Sequence, residues 1–260
     1  MPRVAREKSK TGIYHIILRA VNRQMIFEED EDAIKFLETL ERYKETSGYE
    51  IYAYCLMGNH VHILLKEGKE DLGVTMRRIG ASYVYWYNWK YERVGHLFQD
   101  RYKSEVVETE KYLLAVLRYI HQNPLKAGLV KDLKLYKWSS YNEYINGGTI
   151  TDIDFVLDLF DVDRNRAKLM FKKFHEKKSS INCLDIEEKR QIKDGEAAKM
   201  IKQICQVSHC SDIQRMNILE RDNCLRKLKE EGLSARQIAR LTGLSRYTAK
   251  GTVPAVENRG

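Results

Sequence analysis

Residues 55–66, "CLMGNHVHILLK", place two histidines, His60 and His62, on either side of one valine. Side chains two positions apart in a strand lie on the same face, so both imidazoles would project together. Val61 and the apolar residues that follow it at the same spacing would form a core face. The Gly58-Asn59 pair predicts a turn between two paired strands. Two imidazoles on one face indicate half of a metal site.

The segments around this hairpin predict an α+β fold. Residues 12–21 and 104–108 are rich in β-branched residues and predict two further strands. The order β-α-β-β-α-β-α is the ferredoxin-like split βαβ arrangement, with the first strand and the histidine-bearing strand at its centre. We expect this domain to span residues 1–145. Helices are predicted over 30–48, 71–95 and 109–124, the last ending near Pro124.

The composition is that of a soluble globular protein, with 43% apolar and 32% charged residues. No run of about 18 apolar residues occurs, which argues against a membrane-spanning helix. The basic N-terminus is not followed by the apolar segment of a signal peptide. Five scattered cysteines are typical of a reducing compartment, so we expect a cytoplasmic protein.

The charge of the chain is unevenly distributed. The net charge is +8, yet residues 1–160 are neutral, whereas residues 161–260 carry 22 Lys and Arg against 14 Asp and Glu. This pattern suggests a reaction domain followed by a domain that binds a polyanion, although a solvated helical surface has the same composition. We expect a helical connector over 146–184, with a linker-like segment at 179–183, and a helical DNA-binding domain over 185–260.

Residues 223–253 have the pattern of a helix-turn-helix. Ser234 and Ser245 stand at the N-cap positions of two short helices, and Gly243 supplies the turn between them. An ordinary helical hairpin is the alternative, but small residues at this spacing and the local positive charge favour a module that enters the major groove. The exposed DNA-contacting residues would be Arg246, Tyr247 and Lys250.

The helix at 109–124 can complete the site of the two histidines. Tyr119 and Asn123 are four positions apart and share a helical face. The amide oxygen of Asn123 and the two imidazoles would hold Mn²⁺ or Mg²⁺, with open positions for a phosphate oxygen. Tyr119 would attack the phosphate and form a phosphotyrosine ester. Tyr112, seven residues earlier on the same face, is the alternative nucleophile among sixteen tyrosines.

Several of these segments resemble one family. "MGNHVHILL" resembles the HUH motif (histidine, hydrophobic residue, histidine) of the single-tyrosine transposases of the IS200/IS605 type. "GIYHIILRAVNRQMIF", "HLFQDRYKS" and "LRYIHQNPLKAGLV" resemble, in the same order, segments of the REP-associated tyrosine transposases. The segment at 223–253 resembles the helix-turn-helix of bacterial replication initiators, which binds duplex DNA.

The resemblance covers residues 1–145 and implies a nuclease that cleaves single-stranded DNA, often beside a hairpin. By this resemblance Tyr119 forms a 5′-phosphotyrosine and leaves a free 3′-OH. His60, His62 and Asn123 correspond to the metal positions, although related transposases place Gln where this chain has Asn123.

The expected partner is therefore DNA, both a single-stranded or hairpin substrate and a duplex. Arg101 and Lys103 in "QDRYKS" are candidate phosphate contacts, with a solvated surface as the alternative. The resemblance is compatible with a monomer and with a homodimer. A catalytically silent DNA-binding regulator is the second function that the sequence allows. RNA binding is disfavoured, because the aromatic sheet motif of RNA-binding ferredoxin-like domains is missing.

Overall fold

The computed structural model describes residues 6–177, 183–184, 192 and 194–250, with only the backbone of residue 250. The chain divides into two compact units, Met1–Asp185 and Ile186–Gly260. The predicted linker at 179–183 lies outside the described residues except for Cys183, as do residues 251–253 of the predicted helix-turn-helix. None of the described helices combines the length and apolar character needed to cross a bilayer.

A four-stranded antiparallel sheet forms the centre of the first unit. The pairing confirms the predicted split βαβ order, with the first strand and the histidine-bearing strand in the middle. Alternation along the histidine strand buries Val61, Ile63 and Leu65 in one core. The strands are β1 (Ile13–Arg19), β2 (Glu50–Met57), β3 (His60–Lys66) and β4 (Lys103–Val106), in the order β2-β3-β1-β4.

Two helices, α1 (Asp30–Ser47) and α2 (Leu72–Lys90), cover the face that carries Val61. The aromatic residues of α2 differ in their environments. Tyr83 and Tyr87 are fully buried in this core, and the half-buried Trp86 packs against it. Tyr85 and Trp89 are 79% and 73% exposed, so the aromatic character of this helix exceeds what its core requires.

Four helices share a second core with the opposite face of the sheet. They are α3 (Glu110–Lys126), α4 (Tyr141–Asn146), α5 (Ile153–Asp158) and α6 (Arg164–Glu176). Cys55 and Leu64 of the sheet belong to this core, and so do Val156 and Phe171. The segment at 146–184, which was expected to be a helical connector, therefore contributes to the core beneath α3.

Helix α3 continues beyond its predicted end, because Pro124 lies inside the helix and not after it. A proline in the last turn removes only one backbone donor. The following turn is still closed, since the N–H of Ala127 donates to the carbonyl of Asn123 at 2.9 Å. The predicted end at 124 was wrong by two residues, and the extra residues include Lys126.

The described part of the second unit is helical. Ser234 Oγ accepts the N–H of Gln237, and Ser245 Oγ accepts the N–H of Thr248, so both predicted serine caps are formed. Gly243 turns the chain between the last two helices with φ 75°, a left-handed conformation that suits glycine. The helices are α7 (Asp194–Cys205), α8 (Ile218–Glu230), α9 (Ala235–Thr242) and α10 (Arg246–Lys250).

Candidate active site

One face of the sheet collects polar side chains beneath α3. Strand pairing sets Ile17 of β1 opposite both His62 of β3 and Lys103 of β4. Directly opposed residues share a face, and residues two positions along each strand share it too. The polar residues of this face include His15, Arg19, His60, His62, Lys103 and Glu105.

Three imidazoles on this face form a connected group. His15 Nε2 and His62 Nδ1 are 3.0 Å apart, and both residues are fully buried. The rings of His60 and His62 lie 5.0 Å apart between centroids. His60 Nδ1 is 2.6 Å from Asn59 Oδ1. In both histidines of β3 these bonds occupy Nδ1, so coordination of a metal would use Nε2.

Helix α3 packs Tyr119 against these rings. The Tyr119 ring centroid is 5.7 Å from that of His62 and 5.8 Å from that of His15, with the rings nearly perpendicular. Val116 and Ile120 are buried in the core below α3, which sets the rotation of the helix. Lys126, two turns further on, places its Nζ 4.1 Å from the centroid of the Tyr119 ring. Tyr119 is consequently only 3% exposed.

Asn123 lies one turn after Tyr119 and is buried. Its Nδ2 donates to the Tyr119 carbonyl at 3.0 Å, so coordination by this amide would use Oδ1. Gln122 is turned elsewhere, because its Nε2 donates to the carbonyl of His175 at 2.8 Å. His121 also contacts His175, with 2.9 Å between ring nitrogens. Of these three consecutive side chains, Asn123 is therefore the candidate ligand.

The electrostatics of this face favour a neutral His62. Burial, and then the neighbouring His15, His60 and Lys126, hold the pKa of His62 well below its ordinary value. A neutral imidazole can offer a lone pair to a metal. On the side of His15 away from His62, the Nδ1 atom of His15 lies 3.9 Å from Glu105 Oε2, a distance longer than a hydrogen bond. The interaction with His15 lowers the pKa of Glu105 to about 2, against the opposing effect of burial.

The residues present fit a divalent metal. The Nε2 atom of His62 is buried and has no hydrogen-bond partner among the described residues. A buried polar atom without a partner lowers the stability of the fold, and coordination of a metal ion by this atom would offset that loss. In the described ranges no group of three His, Cys, Asp or Glu side chains could hold a metal. A site here would instead combine two imidazoles, the Asn123 amide and further oxygen donors, a set compatible with Mn²⁺ or Mg²⁺ on a phosphate.

The two predicted phosphate contacts lie in different places. Lys103 is exposed and lies on the same sheet face as His62. Arg101 instead lines a cavity of about 540 Å³ together with residues of α2, such as Arg77 and Gly80. The structure therefore brings Lys103, but not Arg101, to the side of the sheet that carries Tyr119.

The alternative nucleophile has a different environment. Burial, and then a hydrogen bond with Glu105, raise the pKa of Tyr112. No ring contact joins Tyr112 to the described histidines, whereas Tyr119 contacts His15 and His62. The geometry thus favours Tyr119.

The predicted DNA contacts of the second unit lie on α10. Arg246 is exposed, and Tyr247 is 81% exposed. Ala249 on the same helix is fully buried in the core of this unit. Lys250, the third predicted contact, has its side chain outside the described residues.

The first part of the chain is similar to a known protein family. Residues 8–123 match the family model described as "Transposase IS200 like". We call residues 8–123 the IS200-like domain, because this segment, which is less than half of the chain, is similar to that family. The matched range contains all four strands and the part of α3 that carries Tyr119 and Asn123.

Individual relatives of the IS200-like domain are distant in sequence. The REP-associated tyrosine transposase of Escherichia coli K12 is 25% identical over 122 residues, which cover 46% of this chain and 70% of that protein. A Haemophilus influenzae protein assigned to the same group is 22% identical over 156 residues, 55% of this chain and 86% of that protein. A solved REP-associated tyrosine transposase bound to a REP hairpin covers 59% of this chain and 96% of its own, with 21% identity and a TM-score of 0.49.

Three residues of this face, His15, Arg19 and Glu105, were not predicted from the sequence, and neither was Lys126 of α3. A signal existed for the first two, since they lie four positions apart in the first predicted strand and so share a face. That they share it with the histidines of β3 depends on the pairing register, which the sequence did not supply.

Proposed function

We propose that the IS200-like domain cleaves single-stranded DNA beside hairpins, with Tyr119 as the nucleophile. The phenol oxygen bonds to phosphorus and loses its proton. The bond from phosphorus to the 3′ oxygen breaks, and that oxygen takes up a proton. The products are a 5′-phosphotyrosine and a free 3′-OH, and the reverse reaction joins strands, which is the chemistry required for transposition.

The observation that carries this proposal is the packing of the Tyr119 ring against His62 and His15. A tyrosine that served only the core would not need two imidazoles beside it. One of them, His62, also has a buried Nε2 atom without a hydrogen-bond partner among the described residues. Lys126 covers the outer side of the Tyr119 ring. DNA would reach the hydroxyl by displacing this flexible side chain, whose charge then stays beside the phosphate.

We further propose that His60, His62 and Asn123 hold Mg²⁺ or Mn²⁺. When bound, the ion would polarise the scissile phosphate and stabilise the charge that develops on it. The protein's own cations on the same face, Arg19 and Lys103, would bind neighbouring phosphates of the strand and keep it in register.

For the second unit we propose duplex DNA binding through a helix-turn-helix formed by α9 and α10. The serine caps, the left-handed Gly243 and the exposed Arg246 and Tyr247 support this. Binding of a duplex by this unit would bring the nuclease to its site. The predicted contact Lys250 belongs to the same helix.

A covalent trapping assay tests the cleavage. The full chain is mixed with end-labelled single-stranded hairpin oligonucleotides, with Mn²⁺ or with a chelator, and denaturing gels are read for label that migrates with the protein. We expect a metal-dependent adduct that is lost in Tyr119→Phe and in His60→Ala. Tyr85→Phe and His96→Ala are matched controls at exposed positions away from this face, and both should form the adduct.

The outcomes of the trapping assay separate the two functions. An adduct that survives Tyr119→Phe would move the nucleophile to another tyrosine. Tight retention of hairpin or duplex DNA with no adduct under any condition would favour the catalytically silent regulator instead.

A further inference from the structure

We propose that His15 is a positioning residue, which holds His62 in the tautomer and orientation required to bind the metal. This inference rests on the proposed metal site. His15 itself would not coordinate the ion, because its Nε2 faces His62 Nδ1 at 3.0 Å and its Nδ1 faces Glu105.

The position of the proton on His62 determines whether this residue can bind a metal. A neutral imidazole has one N–H and one lone pair, and only the nitrogen with the lone pair can bind a metal. If His62 Nδ1 carries the proton, it donates to His15 Nε2, and the buried Nε2 of His62 presents its lone pair. In the other tautomer the proton on Nε2 would point at the metal position and prevent coordination.

The charge of Glu105 favours one of the two tautomers. The negative charge of an ionised carboxylate favours a proton on the nearest nitrogen of His15, which is Nδ1 at 3.9 Å. His15 Nε2 must then be an acceptor, which requires the proton on His62 Nδ1. The N–H of Leu184 donates to Glu105 Oε2 at 2.9 Å and helps to keep this carboxylate ionised. The charge of Glu105 thus affects the proton position on His15, and His15 in turn affects the proton position on His62.

The strand register makes this contact specific. His15 pairs with Leu64, and His62 pairs with Ile17, so the two histidines are diagonal neighbours on adjacent strands. Their rings stack, with 5.3 Å between centroids and 24° between planes. Both residues are fully buried, so water does not compete for the bond. Outer-shell partners of this kind orient ligating histidines and contribute to metal affinity.

Two substitutions of His15 separate hydrogen bonding from packing. Glutamine can accept from His62 through Oε1 and donate towards Glu105 through Nε2, whereas phenylalanine keeps a planar ring but offers no hydrogen bond. We expect His15→Phe to weaken Mn²⁺ binding to the full chain by about 10- to 100-fold, measured by electron paramagnetic resonance. His15→Gln should remain within about threefold of the wild type, and exposed His96→Phe serves as the control.

Nuclear magnetic resonance can determine the tautomer of His62 in the absence of metal. In protein carrying ¹⁵N-labelled histidine, the nitrogen shifts of His62 should show the Nδ1–H form in the wild type, and Glu105→Gln should reduce its population. This measurement also serves if His15→Phe does not fold. An Nε2–H tautomer in the wild type would overturn the inference, and so would equal losses of Mn²⁺ affinity in His15→Gln and His15→Phe.

The inference and the proposed function can fail separately. Normal Mn²⁺ affinity in folded His15→Phe, together with a Tyr119-dependent adduct, would overturn the role of His15 alone. A wild type whose Mn²⁺ binding is no stronger than that of His60→Ala would overturn the metal site, and the role of His15 with it.

Discussion

At the scale of single residues, Tyr112 and Tyr119 illustrate how environment distinguishes two side chains on one helix. They are seven positions apart, yet burial and the neighbouring Glu105 raise the pKa of Tyr112, while Tyr119 lies against two histidines. A carboxylate neighbour disfavours the phenolate, because it adds a second negative charge beside the first. Tyr112 is therefore a poor nucleophile, although its spacing alone suited the role.

We predict that Tyr112→Phe retains covalent adduct formation within about threefold of the wild type, because the substitution removes a hydroxyl that does not attack. Single-turnover trapping on a hairpin oligonucleotide measures this rate, with Tyr119→Phe beside it as the inactive reference. Loss of the adduct in Tyr112→Phe and its survival in Tyr119→Phe would reverse the assignment.

The sequence identified His60 and His62 but not His15, and the reason is physical. Two histidines with one residue between them share a face in any strand, so their proximity follows from local geometry. His15 lies 47 positions from His62, and its contact exists only because β1 and β3 pair in one particular register. Register depends on the whole apolar pattern of the sheet, which a single segment does not contain.

At the scale of elements, a buried histidine pair joins α3 to α6. The ring nitrogens of His121 and His175 are 2.9 Å apart, and His121 also bonds Ser140 Oγ at 2.8 Å. His175 Nδ1 lies 2.9 Å from the carbonyl of Phe171 in its own helix. The helix that carries Tyr119 is thereby attached to a segment beyond the matched transposase range.

We predict that this attachment makes the first unit sensitive to acid. Burial is the main cause that lowers the pKa of His175 to about 4, against an ordinary 6.5. The folded protein therefore keeps the ring neutral while the unfolded chain takes up a proton. Stability is complete above pH 6.5 and decreases as the pH falls towards 4, with about 2 kcal/mol lost by pH 5.

Calorimetric unfolding at pH 7 and pH 5 tests the histidine pair. His175→Gln should be less stable at pH 7 but should lose less stability on acidification than the wild type. The exposed His96→Gln should behave like the wild type. An unchanged pH dependence in His175→Gln would show that this ring does not cause the acid sensitivity.

The elements themselves were well predicted, because strand alternation and helix spacing are local properties. All four strands and the three helices of the split βαβ arrangement lie where the sequence placed them, with shifts of a few residues at their ends. The end of α3 was misplaced because a proline is unfavourable within a helix on average, whereas the last turn loses only one hydrogen bond. The packing of α5 and α6 beneath the sheet required tertiary contacts that no local pattern encodes.

At the scale of the whole molecule, most of the net positive charge lies in the second unit, outside the segment that is similar to transposases. Residues 186–260 carry 15 Lys and Arg against 10 Asp and Glu, while the IS200-like domain ends at residue 123. Affinity for a polyanion and cleavage of a strand should therefore be separable by substitution.

We predict that Arg246→Gln weakens duplex DNA binding about tenfold at moderate salt and reduces the slope of affinity against salt by about 1, because one phosphate contact is lost. Fluorescence anisotropy with a labelled duplex at several salt concentrations measures both quantities. Adduct formation on a short single-stranded hairpin should not change. Arg226→Gln, at an exposed position of α8, is the matched control. Equal effects of the two substitutions would indicate general charge attraction and not recognition by α10.

The division of the chain into two compact units has a spectroscopic consequence. All three tryptophans, Trp86, Trp89 and Trp138, belong to the first unit. Excitation that is selective for tryptophan therefore produces emission from that unit alone, whereas far-ultraviolet circular dichroism records the helices of both. A melting step that appears in dichroism but leaves the emission unchanged belongs to the second unit. The chain thus carries a built-in optical label that allows the stability of each unit to be measured in the intact protein.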